Sequence, residues 1–309
     1  MSEDEILVEL EVALDFDATA KLARDSFDGK DTGFSADYLR WLYEVGFGGD
    51  TTIIKASKDG AKIGQMVLLW HDIRLNGRTT KCAQLVDLFV VPEHRSYEVT
   101  RKIYAAAAGA IRERPGSSII AMPNPKATPL NKRFLKLSAT QELEIRAGFA
   151  SPLFRGPKVT SARHNEERGT DATIGLEDYL SGGGDQVLWT QDTLRRRLAN
   201  PKFQYAIHRT GNACMITSLR KVRNIPMFLI CAIFAKRSPE PGEVASLLWA
   251  GAKTHKWPIY VHLGFHSEFS APGRLLPDRL RPSPMMLQTG GIPDDAHLCR
   301  FESLDFDFA

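Results

Sequence analysis

The residues whose types invite chemistry gather between positions 85 and 134. Leu85 to Val91 is an apolar run broken by a single carboxylate, Asp87, and a strand buried on both faces carries one polar group only where something requires it. Two roles fit that carboxylate: a base acting directly or through water, or a hydrogen-bonding partner for a buried neighbour. Pro92 removes a backbone donor and ends the strand, and Ser96 is placed to cap a helix with Val99, Ile103, Ala106 and Ala110 on one face. The unpaired N–H groups at that helix start face whatever lies beyond the strand.

The elements that must position these groups are also legible. Ile6 to Leu14 alternates apolar and acidic residues, the period of a strand with one wet face. Asp17 to Phe27 has helical spacing, and Ser35 is a cap for a second helix running through Trp41 and Tyr43, where aromatics at helix spacing read as packing residues. Asp59-Gly60 and Asn76-Gly77 are hairpin turns, the second joining a strand through Leu69 to the strand Thr79–Val91. With Ile119-Ile120 as a further strand, the order predicts a mixed α/β layer.

After Phe149 the composition changes. Pro152 to Asp185 holds Gly156-Pro157, a polar run from Ser161 to Thr170 and the triplet Gly182-Gly183-Gly184, which reads as a flexible joint because no strand leads into it and no Lys-Ser or Lys-Thr follows. The expected division is therefore a first domain over 1–155, a linker over 156–185 and a second domain over 186–309. From Leu188 onward the order of helix, hairpins, helix and strand repeats, so an internal duplication is expected. Before the second long helix stands Pro239-Glu240-Pro241-Gly242-Glu243, whose prolines and carboxylates would repel an anion. Leu298 to Phe308 reads as a closing strand.

Bulk properties narrow the function classes. The chain has 309 residues, 43% hydrophobic and 25% charged, with a net charge of +3, which gives no reason to expect nucleic acid or an anionic membrane as partner. The four cysteines, Cys82, Cys214, Cys231 and Cys299, are widely spaced and suit reduced, mostly buried thiols. The opening MSEDEILVEL lacks a signal-like stretch, and a cytoplasmic location is expected. There is no Gly-x-Ser-x-Gly elbow, no Gly-x-x-x-x-Gly-Lys-Ser/Thr loop and no Gly-x-Gly-x-x-Gly between strand and helix. His262 and His266 fall on a predicted strand and its exit, where that interval does not build a metal site.

The strand Leu85–Val91, the turn Val91-Pro92-Glu93-His94-Arg95, the helix after it and Pro123-Asn124-Pro125-Lys126-Ala127 together resemble the GNAT (GCN5-related) N-acyltransferase superfamily. The resemblance implies two GNAT-like α/β domains, each a mixed, mostly antiparallel sheet flanked by helices, the second a degenerate copy. It implies that acyl-CoA, acetyl-CoA or a longer acyl donor, slots between two splayed strands as a cosubstrate, and that no cofactor is held permanently. Backbone groups at Leu88, Phe89 and Val90 would hold and polarise the donor, and Asp87 and Asn124 would be the catalytic pair. The phosphate turn would comprise Arg95, Ser96, Tyr97, Glu98, Val99 and Thr100, with Asn131 also bordering the donor. The helices around Trp41 and Tyr43 would border the acceptor.

The chain departs from the family in two places. Arg95-Ser96-Tyr97-Glu98-Val99-Thr100 lacks both small residues of the Arg/Gln-x-x-Gly-x-Gly/Ala pattern, and Glu98 puts a carboxylate where a phosphate would lie. Arg95, Arg101 and Lys102 offset this in part. Asn131, with Phe134 beyond it, stands where a tyrosine acid is usual. Three functions therefore stay open: an N-acyltransferase acting on a small-molecule amine, with a donor on CoA or on an acyl carrier protein; a catalytically silent binding module; and a scaffold.

Overall fold

The computed structural model describes residues 6–27, 33–153, 156–164, 171–222, 225–277 and 285–306. The chain forms two compact units: one from 1–72, 80–141 and 286–292, the other from 73–79, 142–285 and 293–309. Both are mixed α/β, with mostly antiparallel strands and flanking helices.

The first unit runs β1 (Leu7–Leu10), α1 (Phe16–Ser26), α2 (Ala36–Glu44), β2 (Thr51–Lys58), β3 (Ala61–Leu75), β4 (Arg78–Val90), α3 (Tyr97–Arg112), β5 (Ser118–Ala121), α4 (Thr128–Leu135) and β6 (Ser138–Glu142). Both hairpin turns form as the sequence predicts: Asp59 and Gly60 have φ of 50° and 77°, Asn76 and Gly77 of 49° and 73°, the left-handed pairs that a two-residue turn requires. Ser35 and Ser96 cap α2 and α3, each side chain accepting a backbone N–H three residues on. The strand expected over Ile6 to Leu14 is confined to Leu7–Leu10, and the helix expected over Asp17 to Phe27 runs from Phe16 to Ser26, because Asp15 caps it by accepting the Ala18 N–H. Leu88 and Val90 pack with Ile103, Tyr104 and Ala107 of α3 on one face of the sheet. Phe89 points the other way, into Leu22 and Ala23 of α1 and the ring of Phe34.

The second unit runs β7 (Glu144–Phe149), β8 (Thr160–Arg163), α5 (Glu177–Leu180), β9 (Asp185–Val187), α6 (Gln191–Leu198), β10 (Tyr205–Arg209), β11 (Ala213–Val222), β12 (Ile225–Ala235), α7 (Pro241–His255), β13 (Ile259–His266) and β14 (Arg274–Leu275). The next strand, β15 (Met286–Gly290), belongs to the first unit and pairs with β5, and β16 (Leu298–Glu302) returns to the second. The stretch expected as a linker thus carries β8, α5 and β9. Its ordering comes from backbone pairing of β8 with β10 and β9 with β16, which composition does not reveal. Part of the Ser161–Thr170 run lies outside the described residues, as do the turn residue Asn224 and the end of the expected closing strand.

In this unit β12 and β13 run parallel from Phe228↔Tyr260 to Ile230↔His262 and then part. Gly264 pairs with Glu144 of β7 on one edge and Glu302 of β16 on the other, so β16 takes the edge of β13 that β12 vacates. Gly264 has φ of 136°, and a Cβ there would stand 2.3 Å from the Phe301 carbonyl oxygen, so only glycine fits beside the inserted strand.

Candidate active site

β4 and β5 are registered in parallel over four pairs, from Cys82↔Ser118 to Leu85↔Ala121. β5 ends there, while β4 continues through Val90. Among the described residues β4 pairs only with β3 and β5, so its segment after Leu85 has no strand on the β5 side.

Asp87 stands on that segment with φ of 50°. Of the described non-glycine residues with positive φ, Asp59 and Asn76 form turns and Lys136 and Lys256 end helices, so Asp87 is the one placed within a strand. A left-handed residue there costs about 1 to 3 kcal/mol, which aspartate tolerates better than most. Its carboxylate is half-buried and lies on the α2 side: the Tyr43 hydroxyl donates to Oδ2 at 2.5 Å, and Gln65 Nε2 donates to the Tyr43 oxygen at 3.0 Å. Burial, followed by the charge of Asp87 and the hydrogen bond to it, pushes the Tyr43 phenol well above its ordinary range. The two faces of β4 therefore differ in chemistry. Leu88 and Val90 present an apolar wall toward α3, and Asp87 presents a charged group toward α2.

The start of α3 is closed rather than open. Ser96 Oγ takes the Val99 N–H, and the Thr100 hydroxyl turns back to the Ser96 carbonyl. Glu98 pairs with Lys102 at 3.2 Å one turn along the helix. Arg95 donates through Nε to the Val90 carbonyl at 3.0 Å and through Nη2 to the Ser26 carbonyl at 2.5 Å, so its guanidinium ties the end of β4 to the end of α1. The exposed Tyr97 ring packs near Phe134, with the Arg133 guanidinium 4.8 Å from its centre.

Asn124 sits on the exposed turn that leads into α4, its Oδ1 accepting from the backbone N–H groups of Lys126 and Ala127. Asn131 is buried at 3% exposure. Its Oδ1 accepts from the Tyr104 hydroxyl at 2.7 Å and its Nδ2 donates to Gln288 of β15 at 2.9 Å. Burial raises the Tyr104 phenol, which keeps it protonated. The structure thus brings Asp87 and Leu88 to Val90 together on the segment of β4 beyond β5 and Ser96 to Thr100 at the neighbouring helix start, and it gives Asn124 partners within its own turn and Asn131 partners on α3 and β15. Tyr43 bonds with Asp87 and Gln65 with Tyr43, and Tyr104 and Gln288 bond with Asn131; of these four the sequence points only to Tyr43, as a packing residue on a helix that the resemblance sets beside the acceptor. The spacing of α2 marks Tyr43 as inward-facing but says nothing of a partner 44 residues away.

Burial pushes the thiols of Cys82 and Cys214 up to about 12 and that of Cys231 to about 11, so none is a ready nucleophile. No cluster of metal-ligating side chains and no helix long and apolar enough to cross a membrane occurs among the described residues.

Residues 13–134 match the family model described as an acetyltransferase (GNAT) domain. No curated protein matches the sequence. Among solved structures, a probable N-acyltransferase of unknown function from Enterococcus faecalis V583 is similar with a TM-score of 0.64 at 12% identity, covering 92% of this chain and 72% of its own. A GCN5-related N-acetyltransferase from Anabaena variabilis gives 0.62 at 10% identity, covering 94% and 73%. N-myristoyltransferase from Saccharomyces cerevisiae with bound myristoyl-CoA gives 0.55 at 7% identity, covering 94% and 83%. At these identities the likeness is one of fold: residues 13–134 are similar to a GNAT acetyltransferase domain, and the chain shares its fold with the structures described as N-acyltransferases.

Proposed function

We propose that the first unit is an N-acyltransferase that moves an acyl group from a thioester of CoA, or of a phosphopantetheine carrier, to a small-molecule amine. The observation that carries this reading is the segment of β4 beyond Leu85↔Ala121, which has no strand on its β5 side, with the carboxylate of Asp87 on the same stretch held by Tyr43. An extended pantetheine arm can pair with backbone that no strand occupies, and the apolar wall of Leu88 and Val90 suits its aliphatic part. The amine nitrogen attacks the thioester carbon, its proton passes to Asp87 directly or through a water, and the C–S bond breaks to release the thiolate, which is then protonated. Backbone N–H groups of Leu88 to Val90 would steady the oxyanion.

The second unit is read as a degenerate copy. It repeats the parallel pair and the helix between them, but β16 fills the place where its strands part, and the buried carboxylate of Glu243 lies on the first turn of α7, taking up Asn212 Nδ2 at 2.9 Å and the Thr210 hydroxyl. A donor phosphate has no place at that helix start.

The closed turn at the start of α3 favours a second reading, a GNAT-fold module that binds without catalysing. A thiol-release assay over acetyl, medium-chain and long-chain thioesters with a panel of amines decides between them. Thiol release above the background rate, reduced by about 10² or more in Asp87→Asn, supports the enzyme. No release with any pair, together with saturable CoA binding, supports the silent module.

A further inference from the structure

Asp87 is held by groups outside its own strand. The Tyr43 phenol oxygen accepts from Gln65 Nε2 and is 2.5 Å from Asp87 Oδ2. An amide nitrogen has only hydrogens to offer, so the phenol gives a lone pair to Gln65 and its single proton to Asp87. The opposite amide orientation would set an oxygen against a phenol oxygen whose proton is already committed. The order Gln65 to Tyr43 to Asp87 is therefore directional, and all three residues are packed in the first unit, with Gln65 fully buried and Tyr43 at 1% exposure.

Among the described residues, α1, α2, β3 and β4 each bring a group toward Tyr43. From α1 the neighbour is the Phe16 ring, 6.4 Å from that of Tyr43, with the Arg40 guanidinium 5.1 Å from the Phe16 centre. From α2 it is Tyr38, from β3 the neutral Gln65, and from β4 Asp87 itself. The phenol is raised, so it remains a donor across the range in which amines are acylated.

We infer that Tyr43 is a positioning residue for Asp87, fixing the direction of the carboxylate and lowering its affinity for a proton, with Gln65 setting the direction in which the phenol donates. This rests on Asp87 serving as the proton acceptor. The hydroxyl, itself held from behind by Gln65, restricts how the carboxylate can turn. The consequence is a base that stays ionised further into acid than an unassisted one at the same site.

The test is a ¹³C NMR titration of the aspartate carboxyls in the full chain, with the Asp87 signal assigned by its loss in Asp87→Asn. In Tyr43→Phe, which keeps the ring against Phe16, the Asp87 midpoint is expected to rise by about one to two pH units, the size of a lost hydrogen bond to a charged group. The acid limb of kcat/KM for thiol release should move by the same amount. An unmoved midpoint in a folded Tyr43→Phe overturns the inference. Should that variant fail to fold, 3-fluorotyrosine at position 43 decides: as a stronger donor it must lower the midpoint, and no change overturns the inference equally. Full thiol release in Asp87→Asn would overturn the reading of Asp87 as base, and Tyr43's use with it; an inactive Asp87→Asn with an unmoved midpoint in Tyr43→Phe overturns this inference alone.

Discussion

Ser303 Oγ donates to the Cys231 carbonyl at 3.3 Å, and so stitches the turn after β16 to β12 at the point where β12 leaves β13. One residue earlier, Glu302 Oε2 accepts the Ile233 N–H at 3.0 Å, while its Oε1 lies 2.8 Å from His262 Nε2 and Arg300 Nη1 stands 3.1 Å from Oε2. Where β12 leaves β13, the edge of β13 is taken by β16, a segment of the same chain, so a ligand would have to displace that strand to reach it. Calorimetric titration with acetyl-CoA should therefore saturate at one donor per chain. A stoichiometry of two would show that β16 yields to a ligand.

The same closure should be expensive to break. Burial pushes the Glu302 carboxyl up, but the hydrogen bond and charge of His262 and the charge of Arg300 outweigh it and hold the group below its usual range. Glu302→Gln leaves the buried Arg300 short of a counter-charge, and such a loss costs about 3 to 5 kcal/mol. Urea unfolding should report it as a lower midpoint with an unchanged slope; a change below 1 kcal/mol would mean that Asp305, 3.4 Å from Arg300, suffices alone.

Arg95 joins Val90 to Ser26 through two backbone carbonyls. Arg95→Gln should lower stability by about 1 kcal/mol, the net worth of such bonds near the surface, and should change the affinity for CoA less than threefold. A loss of tenfold or more in affinity with stability intact would place the guanidinium on the phosphates instead.

What could be read in the sequence was what short stretches dictate. Ser96, the Asn76-Gly77 turn and the single carboxylate of β4 each express a local rule, and each stands where that rule put it. The departure of β4 from β5 was legible only through resemblance, because no residue type marks a strand that lacks a neighbour. Tyr43 could not be matched to Asp87, since helix spacing gives the direction of a side chain and not its partner across the sheet. The filled gap between β12 and β13 was hidden for a similar reason: it is made by residues about seventy positions apart, through bonds from the Glu302 and Ser303 side chains to the β12 backbone that composition does not encode. The stretch 156–185 reads as a joint for its few apolar residues, and β8 is ordered all the same by its ladder with β10.

Glu98 competes for the start of α3 with any phosphate brought there. It gains roughly 0.3 to 1 kcal/mol from the helix dipole, and replacing it by glycine returns that site to an anion. Glu98→Gly should tighten acetyl-CoA binding about two- to fivefold, more at low salt than at high, at a helix cost of about 1 kcal/mol in stability. Tight binding in the native chain that the substitution leaves unchanged would mean that the donor avoids this turn.

Acid should destabilise the protein well before its carboxylates are titrated. Burial lowers His71 to about 4 and, with the His255 ring beside it, His208 to about 3. Both folded values lie below the unfolded value of about 6.5, so as pH falls through that value the unfolded chain takes up protons that the folded chain refuses. Stability is therefore full above about pH 6.5 and is lost progressively toward pH 4, each histidine adding up to about 1.4 kcal/mol per pH unit to the slope. His71 is the cleaner test, since neither ring nitrogen has a hydrogen-bond partner and Phe47 meets it edge-on at 5.7 Å. In His71→Phe, urea midpoints measured between pH 7 and 5 should fall less steeply than in the native chain, with little lost at pH 7 because no hydrogen bond is given up. An identical slope would show that His71 takes up its proton at the same pH in the folded and the unfolded chain.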